Sequence, residues 1–223
     1  MSCLVKICGL SHLESVRAAV AAGADALGFV FAESARQVTA RQAALIASRV
    51  PRNILRVAVM RHPTAEQWRE VEEIFCPDVL QTDAGDFDHL EVSADIVRWP
   101  VIREGALPSA PLPELFLYEG TVSGRGERVD WEAAAGIARK GRMILAGGLD
   151  SRNVASAMAQ VRPYGVDVSS AVETAPGLKD AELIHEFVAA VRTAERAAQR
   201  DAGMGPDLGQ QKAVGDPAGE TGQ

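Results

Sequence analysis

Short apolar runs alternate along the chain with longer stretches whose apolar positions recur every three or four residues, the mark of strands alternating with amphipathic helices. Leu4–Cys8 predicts a first strand and Leu13–Ala22 an alanine-rich helix. Gly23 should stop that helix, because glycine takes the left-handed C-terminal position at little cost. A second strand follows over Ala26–Phe31, then a helix capped by Thr39 and reaching about Arg49. Ile54–Met60 predicts a third strand, and Thr64 with Gln67 three residues on predicts a capping box at the next helix. Asp78–Gln81 is a short fourth strand, Phe87–Val92 a helical turn, and Ile96–Ile102 a fifth strand with Pro100 near its end. The three prolines between Arg103 and Pro113 predict a loop where a fifth helix would stand. Leu115–Tyr118, Met143–Ala146 and Val166–Ser169 complete the strands, and Trp131–Lys140, Ser151–Val161 and Ala181–Gln199 the helices.

Eight strands separated mostly by helices imply parallel βαβ units, in a closed barrel or an open doubly wound sheet. No Gly-x-Gly-x-x-Gly follows the first strand, which argues against a dinucleotide fold. The count of eight favours the barrel, so the expected class is α/β, a small parallel (β/α)8 TIM barrel with its fifth helix reduced to a loop. Its expected extent is residues 1–199. Residues 200–223 hold six glycines and two prolines and no aromatic residue, a composition that predicts a disordered polar tail.

Composition narrows the function. The chain has 223 residues with 47% hydrophobic and 24% charged, ordinary globular usage, while 5% aromatic leaves the core to Ala, Val, Leu and Ile. A net charge of -7 without clustered Lys and Arg argues against nucleic acid. No apolar run is long enough for a membrane span, and no secretory leader precedes the first strand. Three cysteines (Cys3, Cys8, Cys76) without metal spacing suit a reduced cytoplasm. The histidines His12, His62, His89 and His185 show no ligand spacing either, so neither a metal nor a cofactor is expected.

In barrels of this kind chemistry collects at the C-terminal strand ends. Alternation turns Leu4, Lys6 and Cys8 inward and leaves Val5 and Ile7 for the helices. A cysteine is most often a small buried hydrophobe, but beside a lysine at a strand end Cys8 is also a candidate base. Lys6 needs a partner if buried, and Asp167 on strand eight faces the same way; closure brings strand eight beside strand one, which predicts a Lys6–Asp167 ion pair. Gly147-Gly148 after strand seven and Ser169-Ser170 after strand eight fit the phosphate position of such barrels. Glu119 ends strand six, three strands around the ring from Cys8. An acid and a base on opposite sides of one substrate suit an isomerisation that relocates a proton. Arg36, in the loop after strand two, could clamp a carboxylate with its planar fork.

These residues lie in stretches that together resemble phosphoribosylanthranilate isomerase of tryptophan biosynthesis. The matching stretches are Lys6-Ile7-Cys8-Gly9, Ala22 to Phe31, Ser34-Ala35-Arg36, Val129-Asp130-Trp131, Ala146-Gly147-Gly148-Leu149 and Val166-Asp167-Val168-Ser169-Ser170. Val172-Glu173 and Pro176-Gly177-Leu178-Lys179-Asp180 complete the set, in order from residue 4 to about 192. The resemblance implies a cofactor-free Amadori rearrangement of N-(5-phosphoribosyl)anthranilate with Cys8 as base and Glu119 as acid. It implies that Arg36 holds the anthranilate carboxylate and that Gly147, Gly148, Ser169 and Ser170 surround the phosphate. Arg36, Lys6 and the phosphate loops then capture the anionic substrate locally, with Asp167 as partner to Lys6. The chain departs from the family pattern in having Glu119 for an aspartate, Gln81-Thr82-Asp83-Ala84 for Gln-Leu-His-Gly, and Ala171 for a glycine after strand eight. Two other readings stand beside it: a paralogous phosphosugar-binding barrel enzyme with another substrate, and a non-catalytic sugar-phosphate-binding relative. The expected partner is a small phosphosugar, with the protein a cytoplasmic monomer or homodimer.

Overall fold

A computed structural model describes residues 2–106, 111–121 and 128–203. Eight parallel strands close into a barrel in sequence order: β1 (Leu4–Cys8), β2 (Ala26–Val30), β3 (Leu55–Val59), β4 (Val79–Asp83), β5 (Val97–Arg103), β6 (Leu115–Glu119), β7 (Arg142–Leu145) and β8 (Gly165–Val168). Helices α1 (Leu13–Ala22), α2 (Ala40–Ala47), α3 (Ala65–Phe75), α4 (Trp131–Ala138), α5 (Val154–Val161) and α6 (Ala181–Gly203) surround it. A 3-10 turn over Ala84–Asp88 stands after β4, and no helix lies between β5 and β6 among the described residues. A small antiparallel pair, β9 (Glu173–Ala175) with β10 (Leu178–Lys179), follows β8; nothing in the apolar pattern had suggested it, because both strands are short and largely exposed.

The alternation sorts the core into two layers. Val5, Ile7, Leu27, Phe29, Phe116 and Tyr118 point outward under the helices, while Ala26, Val57, Val79, Trp99, Val101, Leu117, Ile144 and Ala146 fill the barrel. Trp99 is 1% exposed and supplies the bulk that the mostly small aliphatic residues of the interior lack. Both threonine caps form complete capping boxes, Thr39 with Gln42 and Thr64 with Gln67. Gly23 ends α1 at φ 88. At the N-terminal face, Arg192 of α6 donates to the Cys3 carbonyl at 2.8 Å and to Asp25 at 2.7 Å, which ties the last helix to β1 and α1.

Most boundaries shift by one or two residues; the turn expected over Phe87–Val92 stands earlier, at Ala84–Asp88, the helix expected from Ser151 starts at Val154, and three further differences bear on the site or the tail. The fourth strand runs two residues further, to Asp83, and the fifth ends at Arg103, so both charges are strand-end groups and not loop residues. Their inward-facing polar side chains hid them from a pattern built on apolar runs. The last helix continues through Gly203, past the expected end at 199, into a stretch where Arg200 and Ala202 are good helix formers. The rest of the expected tail, 204–223, lies outside the described residues.

Candidate functional site at the C-terminal barrel mouth

The site is built on three charge clusters, and the first sits on β1 and β8. Their register pairs Lys6 with Asp167, and Lys6 Nζ donates to Asp167 Oδ1 at 2.8 Å. Lys6 is 0% and Asp167 9% exposed, so the pair is desolvated. Burial works against the Lys6 cation, yet Asp167 holds its pKa above the usual ammonium value; burial keeps the Asp167 carboxyl above its usual range in spite of Lys6. Cys8, 8% exposed, follows two residues on. Burial pushes the Cys8 thiol up, Lys6 pulls it down, Asp167 pushes it up again and Lys179 pulls it down; the outcome lies above the ordinary thiol value. Gly28 makes the room: a Cβ there would stand 3.0 Å from Cys8 Sγ and 3.2 Å from the Lys6 side chain.

The second cluster joins the loop after β2 to the β9–β10 hairpin. Arg36 grips Glu173 bidentately, Nε to Oε1 at 2.7 Å and Nη2 to Oε2 at 2.8 Å. Lys179 donates to the same Glu173 at 2.6 Å and to the Ser169 carbonyl at 3.0 Å, while the Ser169 hydroxyl donates to the Cys8 carbonyl at 3.1 Å. Burial opposes the Glu173 charge, but hydrogen bonds from Arg36 and Lys179 hold its carboxyl below the usual range. Burial lowers the pKa of Lys179 below the usual ammonium value against the pull of Glu173. Gly9 permits this convergence, since its φ is +79 and a Cβ would stand 2.5 Å from the Arg36 side chain. Arg36 therefore reaches the mouth as expected, but with its fork engaged and its side chain 14% exposed.

Beside these lies the glycine turn after β7, with Gly147 at φ 93 and Gly148 at φ 63. Both conformations are those that glycine reaches without penalty. The Gly148 carbonyl accepts from Asn153 Nδ2 at 2.8 Å, which fixes the turn to the start of α5. Ser170 is exposed and opens a 3-10 turn over Ser170–Val172. The two loops thus offer backbone N–H groups and a hydroxyl, the donor set an anion needs.

The third cluster spans β4, β5 and β6. Arg103 donates from Nη1 to Glu119 at 2.7 Å and from Nη2 to Asp83 at 2.7 Å. The other Asp83 oxygen lies 3.3 Å from His62 Nε2, and His62 Nδ1 lies 3.0 Å from Asp86. Thr82 caps this run with a short hydrogen bond to Asp86. Although the histidines have no ligand spacing in sequence, His62, Asp83 and Asp86 present donor atoms within 4.8 Å of one another, through folding alone. Sequence reasoning missed Arg103, Glu173 and Lys179 as site groups. Lys179 and Glu173 stood in quoted stretches without a role, and the signal available was a lysine and a glutamate six residues apart around a Pro-Gly turn.

Several known proteins similar to this chain share one family name. A family model described as N-(5'phosphoribosyl)anthranilate (PRA) isomerase matches residues 5–190. N-(5'-phosphoribosyl)anthranilate isomerase of Streptococcus mutans is 38% identical over 191 residues, covering 84% of this chain and 98% of the relative. The crystal structure of TrpF from Jonesia denitrificans superposes with a TM-score of 0.74 at 33% identity, covering 87% of this chain and 98% of that one. A phosphoribosyl anthranilate isomerase solved in complex with reduced 1-(o-carboxyphenylamino)-1-deoxyribulose 5-phosphate superposes with a TM-score of 0.68 at 27% identity, covering 86% and 99%. The chain belongs to the N-(5'-phosphoribosyl)anthranilate isomerase family.

Proposed function

We propose that the protein isomerises N-(5'-phosphoribosyl)anthranilate to 1-(2-carboxyphenylamino)-1-deoxyribulose 5-phosphate in tryptophan biosynthesis, working in the cytoplasm as a monomer or homodimer. The observation that carries the residue assignment is the placement of Cys8 at the end of β1 and Glu119 at the end of β6, strands on different sides of one closed barrel. Glu119 protonates the furanose ring oxygen, the C–O bond to the anomeric carbon breaks, and the anthranilate nitrogen pushes in its lone pair to give an iminium. The Cys8 thiolate then removes the proton from the adjacent sugar carbon. The C–H electrons form the enolamine double bond, and tautomerisation gives the ketone. One proton enters at oxygen and one leaves carbon, so the sum is an isomerisation.

The surrounding charges suit these steps. Arg103 bonds both Asp83 and Glu119, which seats the Glu119 carboxyl at the barrel mouth. Lys6 has no exposed surface, so its charge acts through the protein on Cys8 and the bound anion rather than by open contact. Arg36 keeps Nη1 outside its fork to Glu173 for the anthranilate carboxylate. Gly147, Gly148, Ser169 and Ser170 receive the phosphate. The test is to follow the fluorescence of freshly made phosphoribosylanthranilate with purified protein. Turnover is expected, and it should fall at least about a hundredfold in Cys8→Ala and in Glu119→Gln, the range in which positioned acid–base groups contribute. Turnover that survives both changes would overturn the residue roles; a wild-type protein that leaves the substrate untouched would overturn the reading itself.

A further inference from the structure

We infer that Arg103 is a positioning residue for the proton-donating step: anchored by Asp83, it holds the Glu119 carboxyl in the one place from which a proton can be delivered. This rests on the acid role proposed above for Glu119. A glutamate has three side-chain torsions, and confining such a side chain costs up to about 2 kcal/mol of rotamer freedom. A misplacement of an ångström in positioned chemistry costs about a hundredfold in rate. Something must therefore hold Glu119, and the described residues around it show what does.

Register places Arg103 directly opposite Glu119 on the neighbouring strand, and Asp83 opposite Val101, one inward step below Arg103. All three side chains point inward at the mouth with 16 to 20% exposure. The guanidinium is planar, and its two terminal nitrogens each meet one carboxylate at 2.7 Å. A contact at both ends removes the rotation that a single contact would leave. Asp83 is in turn steadied by His62, which sits at φ 47 with its backbone N–H on Asp86 at 3.1 Å. The backbone of Arg103 is closed as well, its carbonyl accepting from Ala106 at 3.0 Å. Glu119 thus belongs to a braced series that begins in the loop after β3.

The experiment separates positioning from binding and from mere structural support. In Arg103→Gln, kcat should fall about ten- to a hundredfold while KM stays within about threefold, because the loss concerns proton delivery and not affinity. Asp83→Asn, which leaves the Arg103–Glu119 contact but removes the charge at its other end, should lower kcat by a smaller factor. Arg103→Lys should recover part of the loss, since a point charge replaces the fork. The decisive measurement repeats Arg103→Gln in a Glu119→Gln background, where no proton can be delivered from position 119. There the further loss should vanish. An equal loss in both backgrounds would show a structural role and overturn the inference, as would a rise in KM at unchanged kcat. If Arg103→Gln does not fold by circular dichroism, the same cycle is run with Asp83→Asn, with the same two outcomes. Wild-type inactivity would instead strike the proposed function, so the two failures are distinct.

Discussion

Removing one partner of the Lys6–Asp167 pair offers the sharpest test of how this barrel is built. The perturbation is Asp167→Asn, which keeps the shape of the side chain and deletes its charge. Lys6 is 0% exposed and bonds Asp167 at 2.8 Å, so the variant leaves an ammonium without a counter-charge in the barrel interior. Breaking a buried pair in this way costs about 3–5 kcal/mol. For a chain of this size each kcal/mol moves Tm by about 2–4 °C, giving a drop of about 6–20 °C. A double change, Lys6→Met with Asp167→Leu, removes both charges and should cost far less than the sum of the single changes. Urea titration with thermal circular dichroism would measure the wild type, Asp167→Asn, the singles Lys6→Met and Asp167→Leu, and the double variant. Cys8 provides a second readout, because Asp167 is one of the groups that pushes the thiol up. In Asp167→Asn the pH profile of Cys8 alkylation should therefore move to lower pH, provided Lys6 remains protonated. Single-variant costs below about 1 kcal/mol, or a double variant as unstable as the two singles added, would refute the claim that the pair is a desolvated unit.

Other consequences follow from the same charges. Because burial holds the Cys8 thiol above the ordinary value, the rate of Cys8 alkylation should climb about tenfold per pH unit from neutral into the alkaline range; an alkylation rate flat from pH 6 to 9 would count against that environment. Glu173 titrates below its unfolded value, so its contribution to stability is present above pH 4.5 and is lost as pH falls through the lower folded value. Glu173→Gln should accordingly flatten the acid limb of a Tm-versus-pH curve, while lowering Tm at pH 7 by leaving Lys179 buried without its carboxylate. Cys3 is the opposite case: burial first, then Glu195, push its thiol from 9.0 up to about 12. The neutral thiol therefore stabilises the fold fully below pH 9 and progressively less as pH rises towards 12, and Cys3→Ala should reduce that alkaline loss of stability in urea titrations. Gln81 Oε1 is buried with no hydrogen-bond partner among the described residues, so Gln81→Leu should leave Tm unchanged or raise it, and a clear loss of stability would contradict that account.

Much of the molecule is legible in local pattern. Period-two alternation separates Val5 and Ile7 from Lys6 and Cys8, and closing eight strands in order is enough to bring Asp167 beside Lys6. The glycine and threonine caps are likewise local events, decided by groups three or four residues apart. What local pattern could not show is which polar groups meet at the mouth. Asp83 and Arg103 read as loop residues because an inward charge ends an apolar run, although the backbone continues in the strand.

The pairing of Arg36 with Glu173 joins positions 137 residues apart, and no spacing rule reaches that far. Tertiary structure alone decides whether Arg36 presents an open fork or an engaged one, and whether Arg103 belongs to solvent or to Glu119. The reason is physical. Strand and helix formation are set by near neighbours and by the burial of one face, whereas a charge at a strand end takes whichever partner the register and the loops deliver. The sequence by itself therefore determined the barrel, its core faces and the candidate acid and base. Only folding decided the ion-pair network that joins Asp83, Arg103 and Glu119.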